Sequence, residues 1–311
     1  MTWLWIPITI FAAAAQTARN AAQRGLIQSA GTLGATLVRF LYGLPFTVVW
    51  LLILHLTLAN PMQGTAPVLS PAYIGWIAMG GVAQLLATAF LLMAMQTRSF
   101  AVATAYSKTE VLQVALFGFL LLGEGLGPWS LLAIALSAVG VVLLSLKPAA
   151  QAGEAVTPGR WWSALFSPAA LYGIAAGAGF ALSAVGYRGA ALLHPEWSPF
   201  YSGAFNLVWA QSIQTLLLGG WLLARKPEVL RVVMREWRLS LTAGALGATS
   251  SIGWFTAFAM RNAADVRALS LVEVLFSYFI SRRVFKEKAG GLELAGMGLL
   301  LAGLVVLVLS A

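Results

Sequence analysis

The stretch YSKTEVLQVALFGFLLLGE, Tyr106 to Glu124, sets a lysine and a glutamate, Lys108 and Glu110, inside a run otherwise suited to hydrocarbon. Displaced by 163 positions, LSLVEVLFSYFISRRVFKE, Leu269 to Glu287, repeats its Ser, Glu, Val, Leu and closing Glu in register as Ser270, Glu273, Val274, Leu275 and Glu287. The same offset relates Arg98 to Arg261 and Gly140 to Gly303, and a nearby offset of 169 relates Arg19-Asn20-Ala21-Ala22 to Arg188-Gly189-Ala190-Ala191. One agreement means little in apolar sequence; a shared register marks an internal repeat.

Composition fixes the surroundings. Of 311 residues 60% are hydrophobic and 9% charged, with a mean hydropathy of +0.85, too little polar surface to coat a soluble globule. Apolar runs of about 20 residues match helices crossing roughly 30 Å of hydrocarbon, whereas an outer-membrane barrel needs alternating segments of about 10. The expected fold is therefore all-α: a polytopic membrane protein of ten transmembrane helices over 3–23, 32–58, 72–95, 101–122, 128–146, 168–191, 199–224, 239–260, 264–284 and 290–310. The first run, from Trp3, reads as a spanning helix because no basic region precedes it, a cleaved signal peptide being the lesser alternative. Residues 148–167, rich in Pro, Gly and polar side chains, read as a cytoplasmic linker between one five-helix repeat (1–147) and a second (168–311). Five is odd, so the second repeat enters the membrane inverted, an architecture that places a site near the midplane where the repeats meet.

The net charge of +9 belongs to loops and helix ends, which favours contact with an anionic leaflet and excludes nucleic acid as a partner. Assigned to the nearer membrane face, most basic residues, among them Arg19, Arg39, Lys108 and the group from Arg225 to Arg238, fall on the side of the odd-numbered loops. Only Arg188, Arg261 and Arg267 fall opposite, which predicts an inner-membrane protein with both termini outside. Cysteine is absent, the two histidines are far apart, and there is no zinc-ligand spacing and no Walker A sequence. No cofactor, metal or ATP site is expected, and an intramembrane enzyme lacks the clustered acids or histidines it would need.

On its paired five-helix repeats, and on LLLGEGLGPW and RRVFKEKAGG closing its fourth and ninth spans, the chain resembles EamA-type members of the drug/metabolite transporter superfamily. The resemblance covers essentially the whole length and extends to exporters of the aromatic amino-acid kind. It implies a secondary transporter moving small metabolites, most simply amino acids outward, by alternating access through a central cavity. Efflux of lipophilic cations or drugs, or uptake of another metabolite, is the alternative. Members of that superfamily are commonly described with cytoplasmic termini, and the charge bias here points the other way.

Glu110 lies about 14 Å into its span, near the centre of the bilayer, and Glu273 matches it from the opposite face. A carboxylate there costs at least about 2.5 kcal/mol unless it meets a cation, a hydrogen bond, water or a proton. Two readings stand: a cavity group that binds substrate or proton, or a structural carboxylate satisfied by its neighbours. Lys108, whose counterpart is Leu271, either snorkels to the cytoplasmic face or serves as a cavity cation that meets a substrate carboxylate or a facing glutamate; two residues from Glu110, it is not expected to pair within its own helix. Further cavity candidates follow helical spacing: Gln16 and Asn20, Gln84 and Thr88, Tyr106 and Gln113, then Tyr187, Asn206, Trp254, Ser270 and Ser277. Each either lines the cavity or bonds helix to helix. The expected partners are a small-molecule substrate, the lipid bilayer and protons for coupling, and the chain is expected to act as a monomer. The glycines Gly173, Gly177 and Gly179 form a small-residue face for close helix contact.

Overall fold

The computed structural model describes residues 3–67, 69–97, 99–125, 127–145, 167–286 and 291–310, and every regular element in them is helical. The first half holds α1 (Trp5–Leu41), α2 (Leu44–Thr57), α3 (Pro71–Thr97), α4 (Phe100–Ser107), α5 (Glu110–Leu122) and α6 (Pro128–Ser145). The second holds α7 (Pro168–Leu192), α8 (Pro199–Gln214), a π-helical turn (Thr215–Gly219), α9 (Gly220–Arg225), α10 (Pro227–Arg235), α11 (Trp237–Met260), α12 (Ala263–Leu269), α13 (Val272–Arg283) and α14 (Gly291–Ser310). Of the expected linker, residues 148–166 lie outside the described residues; Ser167 caps α7, its hydroxyl accepting from the Ala170 N–H at 3.3 Å. The stretches Trp5–Thr57, Pro71–Thr97, Pro168–Leu192 and Pro199–Arg225 are long and apolar enough to cross a bilayer.

Proline and glycine punctuate these helices. Proline opens α3, α6, α7, α8 and α10, where its missing N–H removes a donor that a helix start leaves unpaired anyway. Within α1 the chain turns at Gly31 (φ 67°, ψ 176°). Gln23 Nε2 donates to Ala35 O at 2.8 Å, although twelve residues of straight helix would separate them by about 18 Å, so the arms on either side of Gly31 fold back against each other. Helix α5 ends on Gly123 (φ 68°) in an αL cap, its N–H bonding Phe119 O at 3.1 Å while the Glu124 N–H reaches back to Gly118 O at 3.2 Å.

The continuous helices expected over 101–122 and 264–284 are each interrupted, within one residue of the same register. Val111 N bonds Lys108 O in the first and Val274 N bonds Leu271 O in the second, 163 positions apart; Thr109 N to Tyr106 O and Glu273 N to Ser270 O tighten the chain beside them. Each helix therefore tightens to i→i−3 pairing for one turn around its glutamate, as short 3₁₀ segments do. Hydroxyls take up carbonyls in both turns: Ser107 to Thr104 O (2.7 Å), Thr109 to Tyr106 O (3.0 Å) and Ser270 to Arg267 O (2.5 Å).

Packing is reciprocal between the halves. Helix α1 lies along α11 and α3 along α7; α1 touches α13 and α7 touches α5; α4 meets α13 and α12 meets α5; α6 pairs with α14 and α2 with α8. Exchanging each first-half element for its second-half counterpart reproduces these contacts. Small residues permit the close crossings. A Cβ on Gly186 would stand 3.0 Å from Gly80 Cα, and one on Gly253 would stand 2.7 Å from Ala12 Cβ. The predicted glycine face of α7 divides its work: Gly179 meets α3, while Gly173 and Gly177 seat the α4–α5 turn, Gly177 leaving room for Ser107 O and the Glu110 N–H.

The polarity of the whole is inside out. Leu56 is 81% exposed, Leu216 74% and Leu120 64%, while Arg19, Arg39, Lys108, Glu110, Arg267 and Glu273 are all buried. A soluble protein hides the first set and wets the second.

Candidate functional site

Both tightened turns deliver their glutamate to the same place. Lys108 Nζ stands between them, 3.1 Å from Glu110 Oε1 and 2.6 Å from Glu273 Oε2, with all three side chains buried. The expectation that Lys108 would not pair with Glu110 fails for a definite reason. Two residues apart on a regular α-helix face different directions, but here the helix is interrupted at 108–109, and α5 starts afresh at Glu110. Lys108 does not snorkel; it bridges the two halves.

Around this centre the polar stripes of the sequence converge. From α1, Gln16 donates to Glu273 Oε2 at 2.8 Å and Asn20 to Glu273 Oε1 at 3.2 Å. Trp254 on α11 donates its indole N–H to Gln16 Oε1 at 2.9 Å, which fixes the orientation of that amide. Ser270 donates to Glu110 Oε1 at 3.4 Å, and Arg267 Nη1 stands 3.7 Å from the same oxygen. The Arg267 guanidinium also lies over the rings of Trp254 (4.8 Å), Phe258 (5.1 Å) and Phe180 (5.9 Å), cation–π contacts that partly replace its lost hydration. Lys108 and Arg267 thus balance Glu110 and Glu273. Desolvating each such ion costs several kcal/mol, so removing any one member leaves an uncompensated charge.

A second polar network adjoins through α3. Arg39 Nη1 donates to Thr88 Oγ1 at 2.9 Å, and Thr88 in turn donates to Gln84 O. The Gln84 side-chain oxygen accepts from Tyr187 (3.0 Å) and Gln214 (2.9 Å), the latter just before the π-helical turn. Asn206 accepts from Tyr73 at 2.9 Å, apart from both networks. Tyr106 is buried against Gly173 in a separate apolar cluster. Gln113 is half-buried and Ser277 buried, and neither bonds to the Lys108 centre.

The sequence reading passed over three participants: Arg19, Arg39 and Arg267, each assigned to a membrane face. All three are buried, and their positions well inside apolar runs, Arg19 between Gln16 and Asn20, were the available signal. With these and Lys108 set aside, the remaining basic residues keep the same bias toward the odd loops.

No protein-family model matches the chain, and no curated protein does. Twenty-eight chains of solved structures match. One, described only as "Crystal structure of protein", superposes with a TM-score of 0.62 at 18% identity, over 98% of this chain and 96% of that one. Similarity at that level concerns the fold alone: from end to end, this chain follows a helical architecture that a solved structure also adopts.

Proposed function

We propose that the protein is a membrane-embedded secondary transporter built from two inverted five-helix repeats, akin to EamA-type drug/metabolite transporters, and that it exports small metabolites, amino acids first among them. The observation that carries this reading is the pair of tightened turns, 163 residues apart, whose glutamates meet on one lysine. Interrupted helices at the junction of inverted repeats are where secondary transporters bind substrate and coupling ions, and irregular backbone at membrane depth is tolerated only where protein or an aqueous cavity covers it. Five spans per half result when α4 is counted with α5 and α12 with α13, α1 is divided at Gly31 with its second arm running on into α2, α8 runs on through the π-helical turn into α9, and the nine-residue α10 is left out as too short to cross. The reciprocal packing and the inside-out polarity support the same arrangement, and the bias of basic residues toward the odd-numbered loops favours an inner membrane with the termini outside.

In this mechanism the Lys108 centre joins the halves in one state and parts in the other. Protonation of Glu110 or Glu273 weakens its hold on Lys108, which lets a proton couple to the rocking of one repeat against the other. Efflux of lipophilic cations fits less well, because it needs an unpaired carboxylate in an aromatic cavity and both carboxylates here already hold cations. Purified protein in liposomes, tested against a panel of labelled amino acids and lipophilic cations, decides between them. Saturable transport of amino acids is the expected result, and transport of the cations alone would reverse the assignment.

A further inference from the structure

Among the described residues the buried charges do not sum to zero. Once Lys108 and Arg267 are set against Glu110 and Glu273, two arginines remain, Arg19 and Arg39, both fully enclosed. Neither has a carboxylate partner among the described residues. Arg19 spends Nε and Nη2 on one acceptor, Asn20 Oδ1, at 3.2 and 2.6 Å, and its Nη1 is buried without a partner. Arg39 makes a single side-chain hydrogen bond, to Thr88, and its Nε is likewise buried without a partner. Their stems run side by side over the bare backbone of Gly247, where a Cβ would stand 3.2 Å from Arg39 Cγ and 3.4 Å from Arg19 Cδ. Arg188, which matches Arg19 in sequence, shows the contrast: its Nε holds Glu124 Oε1 at 2.9 Å.

Arginine does not relieve such a situation by losing its proton, as a buried lysine or histidine does. Two neighbouring guanidinium groups with unused donors, shielded from solvent, call for negative charge from elsewhere, and planar forks match carboxylate or phosphate oxygens. We infer that Arg19 and Arg39, over Gly247, form the recognition site for a small organic dianion, a dicarboxylate or phosphate monoester, which supplies the two missing negative charges. The inference rests on the transporter reading and narrows its cargo: a neutral zwitterion leaves the surplus in place, whereas a metabolite with two anionic groups removes it. Asn20 then relays occupancy of this site to Glu273, since it touches both Arg19 and that carboxylate.

The test is thermal unfolding of the purified full-length protein in detergent with succinate, L-aspartate, glycerol phosphate, L-leucine or chloride, at matched ionic strength. Succinate or glycerol phosphate is expected to raise Tm saturably, L-aspartate less, and L-leucine and chloride not at all; whichever of the two dianions acts at lower concentration identifies the carboxylate or phosphate class. Arg39→Lys, which keeps the charge and loses the fork, is expected to raise the half-saturating concentration about tenfold. Equal stabilisation by L-leucine, or no response to any dianion, overturns the inference on the wild-type protein alone, whether or not the variant folds. Liposome transport separates the two levels of argument. Saturable transport of neutral amino acids without a dianion effect removes this site and keeps the transporter, while a dianion-dependent Tm with no transport of any solute keeps the site and removes the transporter.

Discussion

The segments 106–124 and 269–287 share a register, a tightened turn and a buried glutamate, yet they reach charge balance by different routes. The first half contributes its cation at Lys108, where the second has Leu271; the second contributes Arg267, where the first has Thr104. Lys108 makes short contacts with both glutamates, whereas Arg267 stands 3.7 Å from Glu110 and leans on aromatic rings. A repeat can supply two carboxylates by symmetry, but a single bridging lysine must break that symmetry. The two sides of the centre are therefore unequal, and that inequality can be measured.

The largest expected effect comes from imposing the symmetry. Lys108→Leu copies the second half and leaves Glu110 facing Arg267 at 3.7 Å and Glu273 with only its amide donors, at a cost of about 3–5 kcal/mol, visible as a fall in Tm in detergent. Adding Leu271→Lys moves the cation to the equivalent position and is expected to recover part of that loss; no recovery would show that the halves are not interchangeable around their glutamates. Next comes the seat of the first turn. Gly177→Ala places a Cβ about 2.8 Å from Ser107 O and 3.0 Å from Glu110 N, so it is expected to cost about 1–3 kcal/mol, measured the same way. The glutamates themselves should then differ. Glu273 accepts from Lys108, Gln16 and Asn20, and Glu110 from Lys108 and, at 3.4 Å, Ser270, so Glu273→Gln should destabilise more than Glu110→Gln by about 1.5 kcal/mol. The smallest effect is that of Ser270→Ala, about 0.5–1.5 kcal/mol, since it removes one long bond and one back-bond to Arg267 O.

Much of this was legible in the sequence, and the physical reason is that hydrocarbon tolerates few exceptions. Lys108, Glu110 and Glu273 stood out because charge inside an apolar run demands an explanation, and Gln16, Asn20, Trp254 and Ser270 because polar side chains at helical spacing need a common partner. The structure gives those four a bond to the glutamates or, for Trp254, to Gln16. The interruptions at 108–109 and 270–271 were not read, although Ser107, Thr109 and Ser270, hydroxyls able to bond freed carbonyls, mark both. Arg19, Arg39 and Arg267 were placed at membrane faces because a count of basic residues by loop cannot tell an anchor from a buried guanidinium. Gln113 and Ser277 follow their glutamates on the same helices without bonding to the Lys108 centre, and Tyr106, on the far side of the turn, packs against Gly173.

The central claim is that the Lys108 centre is the point at which the two halves part during transport. The most direct measurement is counterflow of a labelled amino acid into liposomes holding purified wild-type protein, Glu110→Gln or Glu273→Gln, with folding checked by Tm. The account predicts saturable counterflow in the wild type and a loss of at least about tenfold in each folded variant, the scale of one lost charge-assisted contact. Wild-type rates in both folded variants would contradict it and leave the two glutamates as scaffold.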